Sequence, residues 1–312
     1  MSLSIKKNIR KSSVGPKILV VVGPTASGKS NLAVSLAKTF NGEVVSADSR
    51  QVYRGLDIGT GKVTARETAG IPHHLLNVAS PRRAYDAAKY QKKASDAITD
   101  IVSRGKLPII AGGSGFWVNS LVDSIAFPDV TPDIALRKNL SKKSTDELFR
   151  ILKQLDPRRA KTIDRKNSRR LIRAIEITKT IGIVPPLKKT KPSYKPLFIG
   201  IALPLETLKT RIATRTNAML RRGLIAEVRH LRESGISAAR LRELGFEYAL
   251  PAEYLNGTLT RDELEERLNT ETYRYAKRQM TWFRRDSRII WISGAHTAFR
   301  ETRKFLAPLQ SP

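Results

Sequence analysis

Apolar positions fall into two rhythms along the chain. Lys17–Val22 is a short β-branched run that stops at Gly23-Pro24, and residues 43–48, 107–111, 197–202 and 288–292 repeat that form. Short apolar runs closed by glycine or polar turns predict buried strands of a parallel sheet. Between them the spacing changes to that of a helix. Leu32 and Leu36, with alanines between, run to the stop signal Asn41-Gly42, and residues 84–102, 146–155, 167–180, 205–234 and 261–285 carry the same period. A strand, a helix and a second strand in this order predict right-handed crossovers and an α/β core.

Near Pro128 the texture shifts to basic helical segments with few strand signals, ending in Pro185-Pro186 and the lysines of 188–195. The expected organisation is a P-loop NTPase-like core with a parallel sheet flanked by helices, plus a mostly helical insertion. Residues 1–127 form the first part of the core, 128–195 the basic insertion, and 196–312 the second part with long helices.

Composition narrows the chemistry. The 312 residues contain no cysteine, which excludes disulfides, thiolate zinc sites, iron–sulfur clusters and a Cys nucleophile. No apolar run approaches the ~20 residues needed to span a bilayer, and the basic N-terminal stretch leads into no secretory core. A cytoplasmic, monomeric protein without membrane contact is expected. Lys and Arg number 57 against 28 Asp and Glu, a net charge of +29. So basic a body collects polyanions. Residues 150–195 hold 15 basic and 3 acidic groups, which places a phosphate backbone in the middle of the chain.

The chemistry begins at Gly23-x-x-x-x-Gly28-Lys29-Ser30, a complete P-loop after a strand and before a helix. Backbone N–H groups of Gly23, Thr25, Ala26, Ser27 and Gly28 form a cradle, the helix adds a positive N-terminus, and Lys29 a point charge. Ser30 would place its hydroxyl on magnesium. Motor and switch NTPases end another strand in an acidic residue, whereas 107–111 runs into Gly112-Gly113-Ser114. ATP hydrolysis is therefore disfavoured. Asp48 and Ser114 stand at strand ends and should converge on the phosphates. Asp48 could take a proton and Ser114 donate to a phosphate oxygen; a helix cap and a turn residue are their structural alternatives.

These motifs resemble those of the tRNA dimethylallyltransferases, and the resemblance runs nearly end to end. It is carried by Gly23–Ser30, SADSRQVYRGLDIGTGK at 46–62, PHHLL at 72–76, GGS at 112–114, NSRRLIRAIE at 167–176, LGF at 244–246 and YAKRQMTWFRR at 275–285. The resemblance implies that the P-loop binds dimethylallyl diphosphate, with magnesium, and that the acceptor is the exocyclic amine of an adenosine 3′ of the tRNA anticodon. It further implies that Asp48 is the general base, that Ser114 stands beside the diphosphate bridging oxygen, and that Arg215 supports the diphosphate. Toward the tRNA anticodon arm it places Asp48, Ser49, Arg50, Gln51, Ser114, Arg137, Arg169, Arg170, Arg173, Arg242, Gly245, Phe246, Lys277, Arg278 and Arg285. Gly61 and Val63 stand where family members commonly have Ala and Pro, Asp164-Arg165 where they have His-Pro, and Phe246-Glu247 where Tyr precedes Lys or Arg.

Two rival enzymes share the P-loop. An adenylate isopentenyltransferase would use a free nucleotide but has no need of the charge in 150–195, and a P-loop kinase would bind ATP. A third reading is a nucleic-acid-binding protein without catalysis. The adjacent His73 and His74 have no acidic partner nearby in sequence and read as structural or substrate-packing residues. Trp282 and Phe283 could stack on a base or belong to the core.

Overall fold

The computed structural model describes residues 15–190 and 193–308. The basic N-terminal stretch and Lys191-Pro192 lie outside the described residues. The first elements are β1 (Lys17–Val22), α1 (Lys29–Thr39), β2 (Gly42–Ser46), α2 (Ala65–Thr68), β3 (His73–His74), α3 (Ala87–Ser103), β4 (Leu107–Gly112) and α4 (Gly115–Val122). There follow β5 (Ile125–Ala126), α5 (Ile134–Leu140), α6 (Thr145–Leu155), α7 (Pro157–Thr162), α8 (Ser168–Ile181) and β6 (Lys188–Lys189). The chain then runs through β7 (Lys195–Ile201), α9 (Leu205–Arg221), α10 (Leu224–Glu233), α11 (Ala238–Leu244), α12 (Phe246–Leu255), α13 (Arg261–Phe283), β8 (Ile289–Ile292) and α14 (Ala295–Leu306).

Six strands form one parallel sheet in the order β3-β2-β4-β1-β7-β8. Residues Ile18 to Val22 of β1 are completely buried, as a central strand covered on both faces requires. Leu32 and Leu36 of α1 join Leu19, Val21 and Ile199 in the core beneath the P-loop. Each fully buried aliphatic side chain of this kind contributes roughly 1.5–3 kcal/mol. The sheet thus presents the carboxyl ends of β1, β2 and β4 together, where an open α/β sheet binds ligands. No helix among the described residues is long and apolar enough to cross a membrane.

Residues Ile125–Thr190 form a separate compact unit. The insertion therefore starts before the expected 128, because Ile125 and Ala126 pair antiparallel with Lys189 and Lys188. It ends before 195, because Lys195 opens β7 and pairs with Lys17 in the main sheet. Leu148, Leu152, Leu171 and Ile175 form its core. Ser144 and Glu147 cap α6 reciprocally, each satisfying a backbone N–H of the other.

One expected helix is two. The segment 205–234 breaks at Gly223, whose φ of 97° ends α9 and starts α10. Only glycine takes that conformation without strain. The two histidines form an edge strand, β3, beside Val44 and Val45. His74 Nε2 lies 2.7 Å from the buried Glu43, and His73 Nδ1 lies 2.9 Å from the Ile71 carbonyl. Among the described residues no cluster of three or more His, Asp or Glu could hold a metal ion.

Candidate active site

In the glycine-rich turn after β1 two of the expected cradle amides are already paired within the chain, Thr25 N–H to Gln279 at 2.8 Å and Ser27 N–H to the Pro24 carbonyl at 3.2 Å. Helix α1 starts at Gly28 with no side-chain cap and no acid in its first turn, so its N-terminal N–H groups face the cavity unsatisfied by the chain. Gly28 sits at φ 91°. The Ser27 hydroxyl is buried without a hydrogen-bond partner, a cost of about 1–3 kcal/mol. Lys29 makes one long contact, Nζ to the Pro24 carbonyl at 3.3 Å. Burial lowers its pKa to about 8, with Asp48 opposing and Arg215 reinforcing the shift.

Two side chains from distant helices brace this turn. Gln279 of α13 accepts from the Thr25 N–H at 2.8 Å and donates to the Gly113 carbonyl at 3.0 Å. It therefore ties the β1 turn to the β4 turn. Arg211 of α9 donates to the Ser27 carbonyl at 3.2 Å. In the sequence Gln279 lies inside the 275–285 motif and Arg211 inside the helical 205–234 segment, neither with a sign of a role at this turn. A bridge spanning most of the chain leaves no local pattern.

Asp48 follows β2. Its Oδ1 accepts from the N–H groups of Arg50 at 2.9 Å and Gln51 at 3.4 Å, a turn that aims the side chain. No described residue hydrogen-bonds to Oδ2. Ser114 starts α4 and its Oγ accepts from the Ser49 N–H at 2.9 Å, which joins the β2 and β4 ends. Its own proton is left for another acceptor.

Asp48, Ser49, Arg50 and Gln51 share a cavity of about 340 Å³ with Thr25, Lys29 and Ser30. Arg215, Gly245, Phe246, Glu247, Tyr275 and Arg278 complete its wall. Arg215 is half-buried and donates to the Thr60 carbonyl at 3.1 Å. Desolvation pushes its pKa down, so an incoming anion would meet an under-compensated cation. Its Nη2 occupies the space a Cβ on Gly61 would need. Glu247 was noted in the sequence only as a departure. Here it is a second carboxyl in the cavity, its pKa raised to about 7 by burial, with Asp48 adding to the rise and its own N–H, Arg50 and Arg215 opposing it.

The remaining basic residues divide. Lys277, Arg278 and Arg285 are exposed on and just after α13, where they line a shallow groove of about 260 Å³ with Thr281 and Trp282. Arg278 borders both cavities. Trp282 stands edge-on to the exposed Phe116, whereas Phe283 is buried. Arg242 is exposed on α11. In the insertion, Arg169 and Arg170 are exposed near the start of α8. Arg137 and Arg173 are not free cations. Both donate to the buried Glu176, Arg137 at 2.6 and 2.8 Å, and Arg173 also to the Val130 carbonyl at 3.0 Å. They hold the fold of the insertion.

Comparison with known proteins agrees across the chain. The family model described as IPP transferase matches residues 51–286. The tRNA dimethylallyltransferase of Anoxybacillus flavithermus is 41% identical, covering 93% of this chain and 94% of its own. That of Carboxydothermus hydrogenoformans is 39% identical over 93% and 96%. The crystal structure of the full-length tRNA isopentenylpyrophosphate transferase from Bacillus halodurans superposes with a TM-score of 0.69 at 36% identity, covering 93% and 95%. A eukaryotic dimethylallyltransferase captured acting on tRNA superposes with a TM-score of 0.80 at 26% identity, covering 95% and 81%.

Proposed function

The chain belongs to the IPP transferase family and is a prenyl-transferring enzyme of tRNA, and from that premise we propose that it moves the dimethylallyl group of dimethylallyl diphosphate to the exocyclic N6 amine of the adenosine 3′ of the anticodon. One observation carries the assignment: the carboxylate of Asp48 and the P-loop with Lys29 and Arg215 line the same cavity. A base for an amine and a cradle for a diphosphate are what such a transfer needs. The N6–carbon bond forms as the carbon–oxygen bond breaks, the electron pair leaves on diphosphate, and the amine proton passes to Asp48 Oδ2. The α1 amides, Lys29 and Arg215 stabilise the charge that grows on the leaving group.

Ser30, a hard oxygen donor on the cavity wall beside Lys29, fits magnesium held chiefly by diphosphate oxygens. Magnesium there would neutralise the leaving group further. The adenine must leave its stack to reach the cavity, where Gln51 stands beside Asp48 to meet its edge. The exposed Lys277, Arg278 and Arg285 fit the phosphates of the anticodon arm, and so do Arg169 and Arg170 in the insertion. We place the enzyme in the cytoplasm as a monomer.

The test incubates the protein with magnesium, dimethylallyl diphosphate and either unmodified tRNA or AMP, with mass spectrometry of the nucleosides. A prenyl mass gain on adenosine in tRNA alone is expected. Gain on AMP would select a free-nucleotide transferase, and no gain on either would refute prenyl transfer. Asp48→Asn, which keeps the Oδ1 turn, should lose at least about a hundredfold in turnover, the usual worth of a general base, while tRNA binding survives. Wild-type turnover in that variant would remove Asp48 from the mechanism.

A further inference from the structure

Glu227 of α10 touches no cavity wall, yet it organises one. Its Oε2 accepts from the N–H groups of Asp57 at 2.9 Å and Ile58 at 2.7 Å, and its Oε1 from the Gly59 N–H at 3.0 Å. The buried Tyr248 hydroxyl also donates to Oε1, at 3.1 Å. Three consecutive amides converging on one carboxylate form an anion nest filled by the protein itself. Charge-assisted bonds of this kind are about twice as strong as neutral ones.

The nested loop turns its next carbonyls the other way, toward the site. The Thr60 carbonyl accepts from Arg215 Nη2 at 3.1 Å and, with the Gly61 carbonyl, from Gln51 Nε2 at 3.5 and 3.3 Å. Gly61, at φ 55°, leaves the room that the Arg215 guanidinium fills. Tyr248 packs against Gly59 so closely that a Cβ there would lie 2.7 Å from its ring. The loop is therefore held from behind by Glu227 and Tyr248, and it holds Arg215 and Gln51 in front.

We propose that Glu227 is a positioning residue of the transfer: it fixes the 57–61 loop so that Arg215 is presented to the diphosphate and Gln51 to the adenine edge. The proposal rests on the prenyl-transfer reading for what those two side chains meet. A loop without the carboxylate would leave three amides to find other partners and its carbonyls free to drift. Arg215, desolvated and with the Thr60 carbonyl as a hydrogen-bond acceptor, would lose its direction.

Titration calorimetry of the full chain with inorganic diphosphate and magnesium tests this in wild type, E227A, E227Q, R215A and the E227A/R215A pair. E227A should weaken diphosphate binding about tenfold or more, the effect of losing one charged hydrogen bond at the site. E227Q should lose less, because its amide oxygen still accepts from two of the three amides. In the R215A background E227A should cost less than about twofold, since the two act as a unit. A purely structural role would give the same factor in both backgrounds, and that result, or unchanged binding in folded E227A, overturns the proposal. If E227A does not fold, the cycle with E227Q is judged by the same criteria. Prenyl transfer is assayed in parallel, with the KM for dimethylallyl diphosphate expected to rise in E227A more than kcat falls. Intact coupling without prenyl transfer in wild type would refute the transferase reading and leave the role of Glu227 standing.

Discussion

Replacing Glu247 by Gln removes a titrating group from the cavity wall while keeping its shape. Its carboxyl has an ordinary pKa of 4.5 and is raised to about 7 in the folded protein, chiefly by burial. Between those values the folded state keeps a proton that the unfolded chain has released. Stability attributed to this group is therefore full below pH 4.5 and is lost as pH rises toward 7 and beyond. The gap between 4.5 and about 7 corresponds to about 3 kcal/mol. Urea unfolding of wild type and Glu247→Gln at a series of pH values, without ligand, isolates the contribution because other groups cancel in the difference. The variant should gain on wild type by about 3 kcal/mol between pH 4 and pH 8.5, with most of the change complete by pH 7.5. A difference that stays constant within about 1 kcal/mol over that range would show that the Glu247 carboxyl is not desolvated in the cavity.

Three further outcomes follow from charges placed in the structure. Lys29, with a pKa lowered to about 8, is cationic below that pH and neutral above it. Diphosphate affinity, compared between wild type and Lys29→Ala to cancel the titration of diphosphate itself, should fall with pH above about 8 in wild type by up to about tenfold per pH unit more than in the variant; parallel profiles to pH 9.5 would remove the ammonium from the cradle. Neutralising the exposed Arg169 and Arg170 should weaken tRNA binding and lower the magnitude of its salt slope by about 2, measured by filter binding from 50 to 200 mM salt. Arg173→Ala should instead lower the unfolding midpoint of the insertion, since it strips a partner from the buried Glu176; unchanged stability would contradict that assignment.

Local pattern carried the frame of the protein further than its bracing. All five long strands of the main sheet lie where the apolar runs predicted them, because a strand buried on both faces writes itself as continuous Val, Ile and Leu. The P-loop and Asp48 were legible for a related reason: each is a short chain segment whose chemistry lies within a few positions. The break at Gly223 was missed since apolar spacing continues across it, and only the positive φ separates two helices. Gln279, Arg211 and Glu227 act on backbone groups far away in the chain. No window of sequence contains both partners. The partner of Arg137 and Arg173, which the resemblance places toward tRNA, was hidden for the same reason: it is a buried Glu one α8 turn from Arg173 and far from Arg137.

The strand order carries a consequence for how the chain comes to be folded at all. The strand that feeds the P-loop pairs Lys17 with Lys195, on the far side of the whole insertion. A nascent chain that has emerged only as far as the insertion holds β1 with one neighbour of its final two. The self-contained insertion, whose contacts are closer in sequence, can condense first on the ribosome, since local contacts cost less loop entropy. The glycine-rich turn proposed to hold the diphosphate is then among the last parts of the sheet to acquire a rigid floor. Until β7 arrives, the N-terminal half exposes an unpaired edge of β1, which makes synthesis of this protein most vulnerable to aggregation between the two halves of its sheet.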